Sequence, residues 1–369
     1  VLMARIVYGV SGEGSGHSSR ARVVLEHLTR AGHDIKVVTY DRGLGHLESD
    51  FDLFETVGLH ITSVNNRVDP LKTLLTNLQR LPDGHKKLQC LRKEIFKGFA
   101  PHAVITDFEP MCAHLANHYG LPLITIDNQH RLRYMRYPYP FRLKKDRQLT
   151  VHIIRAMIPK PDVSLVTTFY FDEPKNRRTF LFPPLLRSQV QNLNPQKGDH
   201  ILVYLTSGFE SFVDRLRQFP RERFVIYGQG DVGQRGNLTF KPPGTDGFLK
   251  DLEQCKGVMA TAGFTLITEA LHLKKPYLAL PMTGQFEQAI NAVFLEEMKC
   301  GVNLHHITET GIGDFLYRLP EFEKALSRQP NYSNTALLKK VDALLADDAK
   351  EAKCFHDQRR ELSTPAQDV

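Results

Sequence analysis

The sequence predicts an α/β protein of two similar domains, each a parallel sheet covered by helices on both faces. Three observations predict it. The chain has 369 residues, more than one hydrophobic core usually organises. Short β-branched runs alternate with amphipathic helical patterns, which is the signature of successive βαβ units. One stretch rich in proline, asparagine and charge, residues 171–199, interrupts that alternation, and the pattern then restarts.

In the first half, Ala4–Val10, Asp34–Tyr40, Ala103–Asp107, Leu121–Asp127 and Val163–Thr168 read as buried strands. His17–Ala31, Leu71–Phe99 and Glu109–Tyr119 read as the helices between them. Ala21, Val24, Leu25 and Leu28 share one helical face, and Gly32 supplies a stop. The second half repeats the scheme, with strands at His200–Leu205, Arg223–Tyr227, Gly257–Ala260 and Tyr277–Leu280. Its helices fall at Ser211–Phe219, Gly247–Cys255, Thr265–Leu273 and Phe286–Lys299. A last helix at 334–346 precedes a polar tail. The expected division is a first domain at 1–170, a linker at 171–199, a second domain at 200–347 and a tail at 348–369.

Bulk composition narrows the function. Hydrophobic residues make up 41% and charged residues 24%, ordinary for a globular protein. No apolar run approaches the ~20 residues that span a bilayer. The opening VLMARIVYGV reads as a strand and carries no basic leader. Five scattered cysteines, Cys90, Cys112, Cys255, Cys300 and Cys354, show no metal-ligand spacing and fit reduced thiols in the cytoplasm. The net charge of +7 suits an anionic ligand or membrane surface, and no nucleic-acid motif accompanies it. Segment Arg131–Lys160 concentrates nine Lys/Arg against one Asp, interleaved with Tyr134, Tyr137, Tyr139 and Phe141. It reads either as a surface for anionic lipid or a phosphorylated acceptor, or as a solvated loop and helix.

Two loops carry chemistry. In the second half a strand ends at Ala260, the small-residue turn Thr261-Ala262-Gly263 follows, and a helix begins near Phe264 or Thr265. Free N–H groups and the helix dipole make an anion site at the carboxyl end of a parallel sheet. Glu269 lies a turn further on, where a carboxylate suits a ribose diol rather than phosphates. Gln285, Glu287 and Gln288 reach the same rim from the next helix, and carboxylates and amides there suit sugar hydroxyls. In the first half, GVSGEGSGH places Gly9, Gly12, Gly14 and Gly16 directly before His17. A dinucleotide fingerprint would need glycine where His17 stands, although Asp41 imitates its acidic ribose ligand. Hydride transfer is therefore disfavoured.

The segment Met259–Val302 resembles the donor-binding half of the GT-B glycosyltransferases, above all the MurG-like enzymes of glycosyltransferase family 28, and more distantly the UDP-glucuronosyltransferases. The matching residues are Ala262-Gly263, Thr268-Glu269-Ala270, Lys275-Pro276, Glu287-Gln288 and Asn291, and GEGSGH resembles the family's Gly-rich loop before histidine. The resemblance implies a GT-B fold: two Rossmann-like domains with parallel sheets facing across a cleft. It implies an inverting, metal-independent transferase of hexosyl or N-acetylhexosaminyl groups, with no cofactor. The donor is a nucleotide diphosphate sugar, UDP-linked, and the acceptor a hydroxyl, lipid-linked if Arg131–Lys160 docks a membrane. On this reading Glu269 binds the ribose, and Ala262, Gly263, Phe264 and Thr265 face the diphosphate. Glu287 and Gln288 hold the donor sugar with Gln285 beside them. Gly14 and Gly16 approach the donor from the other domain. Ser207 and Gly208 donate to the diphosphate, though Ser207 equally reads as a helix N-cap. His17 is the general base and Asp107, at the end of AVITD, orients it. Glu109 is a spare carboxylate, and His130 lines the acceptor side or is a satisfied loop histidine. A UDP-sugar 2-epimerase of the same fold and a non-catalytic nucleotide-sugar or lipid-binding protein are the competing readings.

Overall fold

The computed structural model describes residues 3–58, 63–64, 67–68, 81–205, 208–230 and 232–363. The chain divides into two compact units, 1–62 with 69–187 and 333–369, and 63–68 with 188–332.

The first unit is built on seven strands: β1 (Arg5–Val10), β2 (Asp34–Thr39), β3 (Leu53–Glu55), β6 (Ala103–Asp107), β7 (Leu123–Asp127), β8 (Val163–Thr167) and β9 (Thr179–Phe182). Between β3 and β6 the chain adds a short antiparallel hairpin, β4 (Ser63–Val64) and β5 (Arg67–Val68). The spatial order is β3-β2-β1-β6-β7-β8-β9, and every pair is parallel. The chain works outward from β1 to β3 and then restarts on the other side at β6, so the winding reverses between β1 and β6. In open parallel sheets ligands bind at the carboxyl edge of that reversal. Val10 is in register with Asp107, so the two central strands end level.

The period-two pattern of β1 explains why the sheet is covered on both faces. Ile6, Tyr8 and Val10 join the core formed with Val24, Leu25 and Leu28 of helix Ser15–Arg30. Val7 points the other way, into a core with Leu91, Ile95, Phe96, Cys112 and Ala116. Of the helix expected at Leu71–Phe99, residues 71–80 lie outside the described residues. The rest is α-helical at Leu81–Cys90 and continues in wider π-helical turns over Leu91–Phe99.

Two segments differ from the expected division. Within 171–199, Thr179–Phe182 is a strand, paired in parallel with β8 through Ser164↔Thr179 to Thr167↔Phe182. The last helix, Thr335–Ser363, is interrupted at residues 346–349, where Asp347, Asp348 and Ala349 have φ of 51°, 57° and 63°. It groups with the first unit rather than the second: Leu337, Val341, Leu344, Leu345, Ala349 and Ala352 bury in the first unit's core. Within the segment read as a polar tail, the chain resumes as helix after residue 349 and runs to Ser363, and Arg359 and His356 both bond to buried Asp162.

The second unit repeats the architecture with β10 (His200–Tyr204), β11 (Arg223–Tyr227), β12 (Gly233–Arg235), β13 (Leu238–Phe240), β14 (Gly257–Thr261), β15 (Tyr277–Leu280) and β16 (Gly301–Asn303). The order is β12-β13-β11-β10-β14-β15-β16, parallel except for β12 against β13. The reversal falls between β10 and β14, where Tyr204 is in register with Ala260. Buried Lys275 spends its charge on structure. Its Nζ donates to the carbonyls of Gln196 (2.6 Å) and Cys255 (2.7 Å), and burial lowers it below the ordinary lysine range.

Candidate active site

The loop after β1 separates its glycines by purpose. A Cβ on Gly12 would stand 2.0 Å from the Tyr40 carbonyl oxygen, so only glycine fits there. Gly14 has φ of 80°, a left-handed value that favours glycine, and a Cβ there would meet nothing within 4 Å. It precedes helix Ser15–Arg30, whose N-terminus has no side-chain cap. Gly16 and His17 occupy that helix's first turn, so the backbone there is open at the carboxyl edge of the sheet.

His17 and Asp107 come together. The His17 Nδ1 and the Asp107 Oδ1 are 2.6 Å apart, with Asp107 fully buried and His17 11% exposed. Asp107 ends β6 beside the last residue of β1, and His17 returns over it from the first helical turn. With Nδ1–H donating to the carboxylate, Nε2 carries the lone pair, and the Gln129 amide stands 3.4 Å from it. Phe108 stacks over the imidazole at 6.4 Å between centroids and meets His130 edge-on at the same separation. Phe108 has φ of 57°, a conformation that a bulky residue adopts at a cost of about 1–3 kcal/mol.

Sequence reasoning missed Arg20. Its Nε donates to Asp107 Oδ2 at 2.8 Å and one terminal nitrogen to Oδ1 at 2.6 Å, while the other reaches Asn128 Oδ1 at 2.8 Å. Burial lowers this guanidinium and the Asp107 charge raises it, for a net position above the ordinary arginine value. The available signal was spacing, because Arg20 follows His17 by three residues and so shares its helix face. Two other candidates resolve differently. Glu109 caps helix Pro110–Tyr119, accepting from the amides of Met111 (2.9 Å) and Cys112 (2.7 Å), and is fully buried. His130 is fully buried too and pairs with Asp127 through Nδ1 at 2.7 Å. Burial pushes Asp127 up, but the charge and hydrogen bonds of His130 hold it below the usual carboxylate range.

At the reversal of the second sheet, Thr261, Ala262 and Gly263 lead from β14 into helix Phe264–His272. That helix has neither a side-chain cap nor an acidic residue in its first turn, and a Cβ on Gly263 would meet nothing within 4 Å. Such an end presents N–H groups and a positive dipole. Asn291 pins the turn by donating to the Ala262 carbonyl at 2.8 Å. Phe264 is buried and Thr265 half-buried, and Glu269 is only 3% exposed; burial and the Glu269 charge raise Tyr277 well above the ordinary phenol. Gln288 accepts from the Met282 amide (3.1 Å) and donates to Gln285 (2.7 Å), so these two candidates are held together, with half-buried Glu287 beside them. Gly208 lies in a turn with φ of 95° and donates to Glu210; Ser207 lies outside the described residues. Tyr204, 40% exposed at the end of β10, meets Phe248 edge-on at 5.4 Å, so an aromatic surface adjoins the loop PPGTDGFL. Among the described residues no three of His, Cys, Asp and Glu converge as a metal-ligand set.

Two doubly wound units, each with a loop–helix junction at its sheet reversal, define the class: this is the GT-B glycosyltransferase fold. The calicheamicin glycosyltransferase CalG4 superposes with a TM-score of 0.66 at 15% identity, covering 94% of this chain and 99% of that one. Arabidopsis thaliana UGT89C1, solved with UDP-L-rhamnose, gives 0.64 at 12% identity, over 99% and 100%. Sequence relatives are described as uncharacterized glycosyltransferases: one from Methanosarcina acetivorans is 25% identical over 339 residues, 82% of this chain and 86% of the relative. A second, from Methanosarcina mazei, is 24% identical over 348 residues, with the same coverage. Residues 4–320 match glycosyl transferase family 1, and the chain belongs to that family. The protein is a glycosyltransferase.

Proposed function

We propose that the enzyme is an inverting, metal-independent glycosyltransferase, MurG-like in its donor segment, that moves a hexosyl or N-acetylhexosaminyl group from a UDP-linked sugar to a hydroxyl acceptor. The observation that carries the reading is the 2.6 Å pairing of His17 with buried Asp107 at the reversal of the first sheet. In the reaction, His17 Nε2 takes the acceptor's proton as its oxygen attacks the anomeric carbon. The bond from that carbon to the diphosphate oxygen breaks on the opposite face. The leaving diphosphate keeps the electron pair, and its growing charge is met by the helix N-terminus at Gly263 with Phe264 and Thr265. Glu269 takes the ribose, Gln285, Glu287 and Gln288 the donor sugar, and Ser207, Gly208, Gly14 and Gly16 approach the phosphates.

The acceptor is a lipid or lipid-linked glycan, and the protein works peripherally at the cytoplasmic face of a membrane. Supporting this, helix Lys144–Met157 and the turn before it expose Phe141 (84%), Leu149 (62%) and Ile153 (46%). Exposed Arg142, Lys144, Lys145 and Arg155 lie among them. Apolar side chains among cations suit an anionic bilayer surface. No helix among the described residues is long and apolar enough to cross a membrane.

A thermal-shift screen of nucleotide diphosphates tests the donor half: UDP and a UDP-sugar raise the melting temperature. Transfer is then read with and without a long-chain lipid hydroxyl in anionic vesicles, and the product's anomeric configuration by NMR. No stabilisation by any nucleotide, or sugar isomerisation from donor alone, overturns the reading. Vesicle co-sedimentation that is indifferent to anionic lipid and to salt removes the membrane part.

A further inference from the structure

The reaction above uses a histidine and a carboxylate, yet the carboxylate is held chiefly by a third group. Asp107 makes three close contacts, one to His17 at 2.6 Å and two to Arg20 at 2.8 and 2.6 Å. Arg20 is itself 5% exposed and anchored again at Asn128. We infer that Arg20 is a positioning residue that shares Asp107 with His17, supplying the buried carboxylate's countercharge so that the imidazole stays proton-free and its Nε2 stays aimed outward. This rests on His17 being the base.

The physical argument is one of charge count. A fully buried carboxylate without a countercharge is costly, and a histidine facing it alone answers by taking a proton. A base already protonated cannot accept the acceptor's proton. With a bidentate guanidinium on Asp107 the buried carboxylate has a countercharge that is not the imidazole, and it retains one lone-pair direction for the imidazole Nδ1–H. The Arg20 nitrogen on Oδ1 also stands 3.2 Å from that Nδ1, a cation set against a second one on the ring. The fork is rigid and anchored at Asn128, so it also fixes the carboxylate plane against which the ring is oriented.

The other groups around the trio leave this role to Arg20. Asp127, on β7, is matched with His130. Tyr8, on β1, is driven well above the ordinary phenol by burial and then by the Asp107 charge, so it stays a neutral hydroxyl. Glu109 spends both oxygens on helix amides. Glu13 lies on the glycine loop, its amide against the Ser11 hydroxyl at 3.4 Å. Asn128 and Gln129 are neutral.

The test follows the His17 ring by NMR in full-length protein with labelled histidine, assigned by its loss in His17→Ala, alongside the pH–rate profile. Arg20→Gln leaves Asp107 without its countercharge, so protonation of the ring is favoured about tenfold or more, and both the ring titration and the acid limb of the rate profile move to higher pH by a unit or more. Arg20→Lys keeps the charge and loses the fork; the titration stays put while kcat falls on the order of 10²-fold from misplacement. Arg20→Gln combined with Asp107→Asn removes both charges, and the titration returns towards that of the wild type. An unmoved ring in Arg20→Gln overturns the inference, as does a ring that moves equally in Arg20→Lys; if the glutamine variant does not fold, Arg20→Lys decides by its rate, an unchanged kcat overturning the inference. The NMR readout needs no substrate. A moved ring with no transferase activity in the wild type defeats the reading of His17 as base and leaves the Arg20 pairing standing, whereas an unmoved ring in an enzyme that needs His17 defeats Arg20 alone.

Discussion

The two sheet reversals have the same topology and opposite chemistry. At the first, the loop–helix junction is wired with ionisable groups: His17, Asp107 and Arg20 lie within hydrogen-bond reach, and Asp127–His130 sits one strand away. At the second, the junction Ala262–Thr265 carries no charge in the first turn of its helix and offers only backbone, a hydroxyl and space. A proton-transfer site needs groups whose ionisation is tuned by neighbours, while an anion site needs N–H groups that nothing else occupies. The same arrangement of strand, turn and helix thus carries ionisable side chains at one reversal and bare backbone at the other.

Breaking the wired end has the largest expected effect. His17→Ala lowers turnover by roughly 10²–10⁴-fold, the usual range for a general base, while donor affinity measured by calorimetry stays within about twofold. Near-normal turnover removes His17 from the role, and parallel loss of donor binding shows that the first junction does more than proton transfer.

A second effect separates the glycines by loop. Gly12→Ala forces a methyl into the Tyr40 carbonyl, so the protein loses about 3 kcal/mol or more, read as a fall in the first thermal transition. Gly263→Ala has φ of −69° and open space, so it clashes with nothing, but alanine is a poorer helix N-cap than glycine and the fold loses only about 0.5–1 kcal/mol, while donor affinity drops on the order of tenfold as the methyl meets the diphosphate. An alanine at 263 that leaves donor affinity unchanged takes that turn out of the binding site.

These contrasts also explain what was legible in the sequence. Strands such as Val163–Thr167 and Ala103–Asp107 were readable because a strand covered on both faces is buried at every position and is rich in apolar and β-branched residues. Thr179–Phe182 was hidden because only four residues pair, and the polar segment around them dominates any window. The final helix shows an apolar stripe, but a stripe says that a face is covered and not by which unit. Asp107 was legible from its place at a strand end. Arg20 was not, since an arginine on an amphipathic helix ordinarily faces water; only the partner brought from residue 107 makes burial tolerable. Glu109 shows the converse, a carboxylate two residues from Asp107 that serves as a cap.

That neighbouring pair supplies the smallest and most discriminating test, because the charge-bearing junction is the one whose stability should follow pH. Burial raises Glu109 above the ordinary glutamate value despite the hydrogen bonds from Cys112 and Met111, so the folded protein holds its proton more firmly than the unfolded chain does. The stabilisation from this group is therefore complete below the unfolded value of about 4.3 and is lost as pH rises through the raised folded value. Glu109→Gln cannot ionise and, like the protonated acid, keeps one full acceptor for the two amides of the cap. The two proteins are accordingly of similar stability at acid pH, and the wild type's margin over the variant falls as pH rises towards neutrality. Melting temperatures of both proteins from pH 4 to 8 measure it, and a margin that widens with pH would mean that the two amides stabilise the ionised carboxylate by more than burial opposes it.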